Sequence, residues 1–477
     1  MVEHFAAMVP GAGAPVGRHE VSAPFDGQLL GTVDLAGADT ARTALATAHA
    51  LFRDRTRWLG TPRRIEILTR TAALMEERLE ALALGAAREG GKPLADSLVE
   101  VRRAVDGVRS CREILRTEGG HVIPMNLNAA SAGRVAFTQN EPIGPVVAVS
   151  AFNHPVNLIV HQVMPALAAG CPFVVKPSAD TPLSCFRVVA LLHEAGLPPE
   201  WGQALLAERE VAELLVTDPR VAFFSFVGSA RVGWALRSKL APGARCALEH
   251  GGAAPVIVAD DADLDRTLPA LVKGGFYHAG QVCVSVQRVF VHRSIAAAVC
   301  DGLAQGAAKM KVGDPALPDT EVGPLIRSGE VKRVAEWVEE AFSRGARIVT
   351  GGRTLGGNLY APTVLYDPPD DCRVSREEVF GPVVCVYPYD DADEAIRCAN
   401  ALPYAFQAAV FTRDLDRAIH AYRHLDASAV MVNDHTAFRV DWMPFAGLRQ
   451  SGLGVGGIPH TFHDMRIEKM CVVKTAG

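Results

Sequence analysis

Apolar positions between Asp39 and Glu118 recur close to every 3.6 residues: Ala41, Leu45, Ala48 and Phe52, then Ile65, Leu68, Ala72, Met75 and Leu79. That period places them on one face of successive amphipathic helices. Thr61-Pro62 marks a helix start, because proline at the first helical position gives up no hydrogen bond. Residues 1–37 read as irregular or extended chain, with a turn at Ala23-Pro24-Phe25-Asp26-Gly27.

The pattern then changes. Pro142-Ile143-Gly144-Pro145-Val146-Val147-Ala148-Val149 is a continuous apolar run, the mark of a strand buried on both faces. A helix is expected at about 155–169, a strand at Pro172–Lys176, a helix at 182–195, and a strand at Val221–Phe226 that leads through Gly228-Ser229 into another helix. A second alternation fills 254–435, with strands near 255–258, 286–292, 384–388, 407–412 and 428–432 and helices near 263–275, 294–310, 329–345, 391–400 and 414–425. Alternation of this kind predicts an α/β chain built on two doubly wound parallel sheets. Two segments depart from it. Residues 119–141, with period-2 character at Arg134–Thr138, and the tail at Glu468–Lys474 read as an excursion of β-strands.

Composition narrows the setting. The 477 residues are 49% hydrophobic and 21% charged with a net charge of -5 and no block of like charge, which speaks against nucleic acid or a membrane surface as partner. Ten scattered cysteines form no CxxC pair and no zinc-type Cys/His spacing, so no metal is expected and a reducing compartment is. Met1–Gly17 lacks a secretory pattern, and the expected location is the cytoplasm.

One cysteine stands apart. Cys283 lies in Phe276-Tyr277-His278-Ala279-Gly280-Gln281-Val282-Cys283-Val284-Ser285, among small residues and a glycine. Leu248-Glu249-His250-Gly251-Gly252 and Phe152-Asn153-His154-Pro155 supply a carboxylate and an amide in similarly punctuated segments. A thiol, a carboxylate and an amide can serve as nucleophile, general base and oxyanion donor. The alternatives are a buried apolar Cys, an exposed Glu at a strand end and a turn Asn.

In chain order, Phe152-Asn153-His154-Pro155, Pro165–Gly170, Lys176-Pro177-Ser178, Phe226-Val227-Gly228-Ser229 with Gly233, Leu248–Gly252, Gly280–Cys283, Glu377-Glu378-Val379-Phe380-Gly381-Pro382 and Pro444-Phe445-Ala446-Gly447 with Ser451-Gly452 resemble the motifs of the aldehyde dehydrogenase superfamily, from about residue 20 to the end. The resemblance implies a dinucleotide-binding domain from 1–118 and 142–249, a catalytic domain from 250–449, and oligomerisation strands at 119–141 and 460–477 that pair subunits into a homodimer or homotetramer. It implies Cys283 as nucleophile, Glu249 as base and Asn153 as oxyanion donor, with Glu249 favouring hydrolysis over transfer to coenzyme A. Ser150, Ala151, Phe152, Lys176, Ser178, Gly228, Ser229, Gly251, Glu378 and Phe380 would line a site for NAD, with NADP possible.

Several positions differ from the common pattern of the family. Phe152 replaces a usual Trp and His250 a usual Leu, Ala207-Glu208-Arg209-Glu210 replaces a Gly-rich turn, and Ala179 stands where NAD-preferring members often carry Glu, with Asp180 adjacent. Arg103, His154 and Arg439 together would suit a phosphonate, phosphate or carboxylate tail on the aldehyde, which points to a phosphonoacetaldehyde or lactaldehyde dehydrogenase-like branch. The structural alternative pairs Arg439 with Asp434 or Asp441, and Arg103 with a nearby acid.

Overall fold

The computed structural model describes residues 2–474. The long helical stretch is four helices, α1 (Ala38–Arg53), α2 (Thr61–Glu77), α3 (Leu79–Gly90) and α4 (Leu94–Thr117). Ala41, Leu45, Ala48, Leu68, Ala72 and Met75 are buried, as their spacing requires. Gly91 ends α3 at φ +75, a left-handed conformation that glycine adopts without strain, and Lys92-Pro93 then redirects the chain into α4.

The first sheet contains β1 (Val146–Val149), β2 (Phe173–Lys176), β3 (Gly202–Ala204), β4 (Phe223–Val227) and β5 (Arg245–Glu249). Its order is β5-β4-β1-β2-β3, all parallel, with Gly452–Leu453 added antiparallel to β5. Helices α5 (Asn157–Ala169), α6 (Pro182–Glu194), α7 (Arg209–Thr217) and α8 (Ala230–Arg237) connect these strands. The chain runs from β1 outward through β2 to β3, then returns to β4 on the other flank of β1. The strand order therefore reverses between β1 and β4, and a ligand crevice opens beyond their carboxyl ends.

The second sheet holds β6 (Ala254–Val258), β7 (Val286–His292), β8 (Arg347–Thr350), β9 (Thr363–Tyr366), β10 (Val383–Tyr389), β11 (Gln407–Phe411) and β12 (Ala429–Val432). Its order is β8-β9-β10-β7-β6-β11-β12, parallel except for β8. Each sheet has its own large hydrophobic core. Only His250–Ala253 separate β5 from β6, so Glu249 sits at the seam between the sheets.

The excursion is a three-stranded antiparallel sheet in which Arg134–Pro142 lies between Val122–Ile123 and Arg466–Lys474. The expected tail strand over 460–477 needs correction. Residues Ile458–Asp464 form a helix with proline in its first turn, because Ile458 and Phe462 bury themselves in the first core. The strand begins at Arg466, and residues 475–477 lie outside the described residues. No helix among the described residues is long and apolar enough to cross a membrane.

Candidate active site

At the crevice, the Ser150 N–H donates to the Lys176 carbonyl at 3.1 Å and fastens the end of β1 to β2. Ala151 and Phe152 continue this turn, and the Phe152 ring meets Phe380 edge-on with centroids 5.9 Å apart. Phe380 is held at φ +45, a conformation costly for an aromatic residue, which aims its ring back at the crevice.

Asn153 is buried, and its Nδ2 donates to the Gln281 carbonyl at 2.9 Å, which brings the amide to the loop that carries Cys283. The segment is anchored from behind. Glu100 of α4 accepts from the Val156 and Asn157 N–H groups, both at 2.9 Å, at the start of α5, where a carboxylate complements the helix dipole. Its partner is the buried Lys92 ammonium, which lies 3.4 Å from the Asn153 carbonyl oxygen.

The Cys283 loop turns sharply through His278 and Ala279, both left-handed at φ 50 and 53. Cys283 is partly exposed to the crevice. Burial pushes its thiol up to about 12, with Glu378 and Glu249 adding to the rise and Arg439 opposing it. The resting group is therefore a thiol, and Arg439 is the cation that favours the thiolate.

Burial also raises the pKa of Glu249, again against Arg439. Its carboxylate lies on the Cα of Gly456, where any side chain would collide with it. The paired backbone bonds Phe445–Gly456, 3.0 and 2.8 Å, hold that glycine in place. Glu378 packs on Gly251 in the same manner, accepts the Gly252 N–H at 3.2 Å, and is pushed up to about 8 by burial. A base whose pKa rises toward neutrality is suited to taking a proton from water.

Several of the residues expected to hold a dinucleotide stand at the carboxyl ends of strands of the first sheet. Lys176 ends β2, and Glu208 and Asp180 act on its ammonium while burial lowers its pKa. Ser178 Oγ lies 3.4 Å from Asp180. Gly228 donates its N–H to the Glu249 carbonyl at 3.0 Å, and Ser229 is the N-cap of α8, whose first turn presents free N–H groups to an anion. The His250 Nδ1 meets the Gly228 carbonyl at 2.9 Å, and its ring sits between Phe226 and Trp234, so it buttresses this turn. Ser150 Oγ is buried without a partner, an orphan that a bound cofactor would satisfy.

On the substrate side the three expected residues part company. Arg103 forms a two-point ion pair with Asp441, at 2.7 and 3.1 Å, and so follows the structural alternative. His154 meets the Tyr277 hydroxyl through Nε2 at 2.9 Å, and burial drives its pKa well below the usual value, which leaves it neutral. Arg439 is different. Its guanidinium carbon stacks 3.5 Å from the Phe445 ring centroid, its Nη2 lies 3.3 Å from His161 Nδ1, and its Nε is buried without a partner.

Residues 12–471 match the aldehyde dehydrogenase family. The chain belongs to that family. It is 38% identical over 457 residues, 96% of its length and 95% of the relative's, to a 3-sulfolactaldehyde dehydrogenase from Priestia aryabhattai. It resembles the structure of aldehyde dehydrogenase 21 from Physcomitrella patens in complex with the reaction product succinate, with 34% identity, a TM-score of 0.95, and 100% and 99% of the two chains covered. It also resembles a glyceraldehyde-3-phosphate dehydrogenase from Methanocaldococcus jannaschii complexed with NADP, with 32% identity, a TM-score of 0.91, and 96% and 99% covered. The chain is an NAD(P)-dependent aldehyde dehydrogenase.

Other residues of this aldehyde dehydrogenase stand around these groups without a site role having been assigned to them from sequence: His161, Asp441, Tyr277, Glu208 and Gly456. Asn157 and His161 carried a signal, being polar residues four apart on an otherwise apolar helix. Both reach Asp441, His161 Nε2 at 2.7 Å and Asn157 Nδ2 at 3.1 Å.

Proposed function

We propose that this enzyme oxidises a short aldehyde with an anionic tail, a phosphonate, sulfonate or carboxylate, to the carboxylic acid, with water as acyl acceptor. The observation that carries the tail assignment is Arg439: half-buried, with a buried, unpartnered Nε and no carboxylate within the 4.0 Å of an ion pair among the described residues, yet close enough to act on Cys283 and Glu249. The substrates or product in the relatives' names, 3-sulfolactaldehyde, glyceraldehyde-3-phosphate and succinate, all carry such an anion.

In this reading the Cys283 thiol loses its proton to solvent, with Arg439 favouring the anion, and the thiolate attacks the carbonyl carbon. The second N–H of the Asn153 amide and the Cys283 N–H receive the oxyanion. NAD(P)⁺ supplies the hydride acceptor when bound. Loss of hydride from the tetrahedral carbon leaves a thioester on Cys283. Glu249 then takes a proton from water, the hydroxide adds to the thioester carbon, and the C–S bond breaks to return the thiolate. Lys176, Ser178 and Glu378 would hold the two riboses, Gly228-Ser229 the pyrophosphate, and Phe380 with Phe152 the nicotinamide face.

NAD is the preferred cofactor in this reading, because Glu208 and Asp180 place two carboxylates beside Lys176 and would repel a 2′-phosphate. Glu208→Ala should raise kcat/KM for NADP several-fold relative to NAD; an unchanged ratio removes Glu208 from cofactor choice. The exposed edge strand Arg466–Lys474, with apolar Ile467, Met470, Val472 and Val473, supports pairing with a second copy of the chain.

The test of the tail assignment is a panel of short aldehydes with and without an anionic group. A charge-assisted hydrogen bond contributes about 1.5–3 kcal/mol, so the anionic members should lead by about tenfold or more in kcat/KM. Arg439→Leu should erase that lead, with propanal reporting any general effect on Cys283. Arg439→Lys should restore it only in part, since an ammonium lacks the planar fork. Equal losses for charged and neutral aldehydes would make Arg439 a structural residue.

A further inference from the structure

We infer that the substrate tail carries a single negative charge, so that the enzyme selects a sulfonate or carboxylate, or a singly ionised phosphonate, over a doubly charged phosphonate or phosphate. This rests on the reading of Arg439 as the tail-binding residue and follows from counting the charges around it.

Arg439 lies in the loop after β12; its Nη2 approaches His161 of α5, and the charges of Glu249 on β5, Arg103 on α4 and Cys283 act on it. Three cations act on this region, Arg439, Arg103 and Lys92, but Arg103 is cancelled by Asp441 at 2.7 and 3.1 Å and the buried Lys92 by Glu100. Asp441 is fully engaged: it also accepts from His161 Nε2 at 2.7 Å and Asn157 Nδ2 at 3.1 Å. Accepting the His161 Nε2–H fixes the tautomer, leaving the Nδ1 lone pair to receive the Arg439 Nη2 at 3.3 Å. His161 thus orients the guanidinium without adding charge, and burial lowers the pKa of both His161 and His154.

The remaining titratable groups make the count no more positive. Cys283 is neutral as a thiol, and Glu249 subtracts a charge whenever it is ionised. The pocket therefore offers one uncompensated positive charge at most. A monoanion neutralises it. A dianion leaves one charge buried without a partner, a large desolvation penalty.

Sulfoacetaldehyde and phosphonoacetaldehyde provide the test, since they share a carbon skeleton and differ in charge. A phosphonate takes its second charge near the value of phosphate monoesters, at about pH 6 or somewhat above. The ratio of kcat/KM for the phosphonate to that for the sulfonate should fall about tenfold between about pH 5.5 and pH 8.5, the ratio cancelling the enzyme's own titration. Asp441→Asn, which uncovers the Arg103 charge, should raise the ratio at the upper pH by a similar factor. A ratio that stays constant or rises with pH in the wild-type enzyme overturns the single-charge assignment, whether or not the variant folds. A ratio that Asp441→Asn leaves unchanged in a folded enzyme overturns it as well. If Arg439→Leu keeps the lead of both anionic aldehydes over propanal, the tail site itself has been misplaced, a separate failure.

Discussion

Cys283→Ala is expected to abolish aldehyde oxidation, by about 10⁴-fold or more, while NAD(P) still binds. The size of the effect follows from the chemistry: without sulfur, no covalent adduct forms, and none of the neighbouring groups can replace it. Glu249 and Glu378 are half-buried carboxylates of raised pKa, and Arg439 is a cation that cannot act as a nucleophile. Cofactor binding survives because the residues assigned to it, Lys176, Ser178 and Gly228-Ser229, stand on the first sheet and its turns, whereas Cys283 belongs to the loop before β7. Fluorescence titration with the cofactor, together with steady-state rates, separates the two functions. Turnover like that of the wild type would end the covalent mechanism.

Glu249→Gln is expected to slow the steady state by about 10²–10⁴-fold, the usual contribution of a positioned base, without preventing the first half-reaction. Glutamine keeps the shape of the side chain and its fit against Gly456 but cannot accept a proton. Rapid mixing should release one equivalent of NADH and then nearly stop. Acylation does not use Glu249 in the proposed mechanism, and removing its charge lifts one of the influences that hold the Cys283 thiol protonated. Unchanged steady-state rates would remove Glu249 from the role of base.

The parts of the fold that could be read from sequence are those whose pattern is long or pure. The apolar runs at Val146–Val149 and Phe223–Val227 and the 3.6-residue repeats of α1 and α2 leave little room for another structure. Short or charged strands escaped notice. Gly202–Ala204 has only three residues, Arg245–Glu249 begins with Arg and Cys, and Arg347–Thr350 starts at an exposed Arg on an antiparallel edge. The helix Ile458–Asp464 overlaps the 460–477 segment that the family resemblance implies as strand, and its burial on α4 and α5 depends on tertiary contact.

The site divides along the same line. Asn153, Glu249 and Cys283 could be named because each stands in a segment punctuated by glycine or proline, where the backbone must make a particular turn. The fates of Arg103 and Arg439 could not. Arg103 and its partner Asp441 are 338 positions apart, and which of the two arginines is neutralised depends on how α4, α5 and the loop after β12 come together.

The central claim is that oxidation passes through an acyl group on Cys283 that Glu249 helps to release. Intact and peptide mass measurement after acid quench of Glu249→Gln, mixed with NAD and a substrate aldehyde, tests it directly. The peptide that contains Cys283 should gain the mass of the acyl group in step with the NADH released, and Cys283→Ala should show neither. Release of NADH with no mass gained at Cys283 would contradict the account.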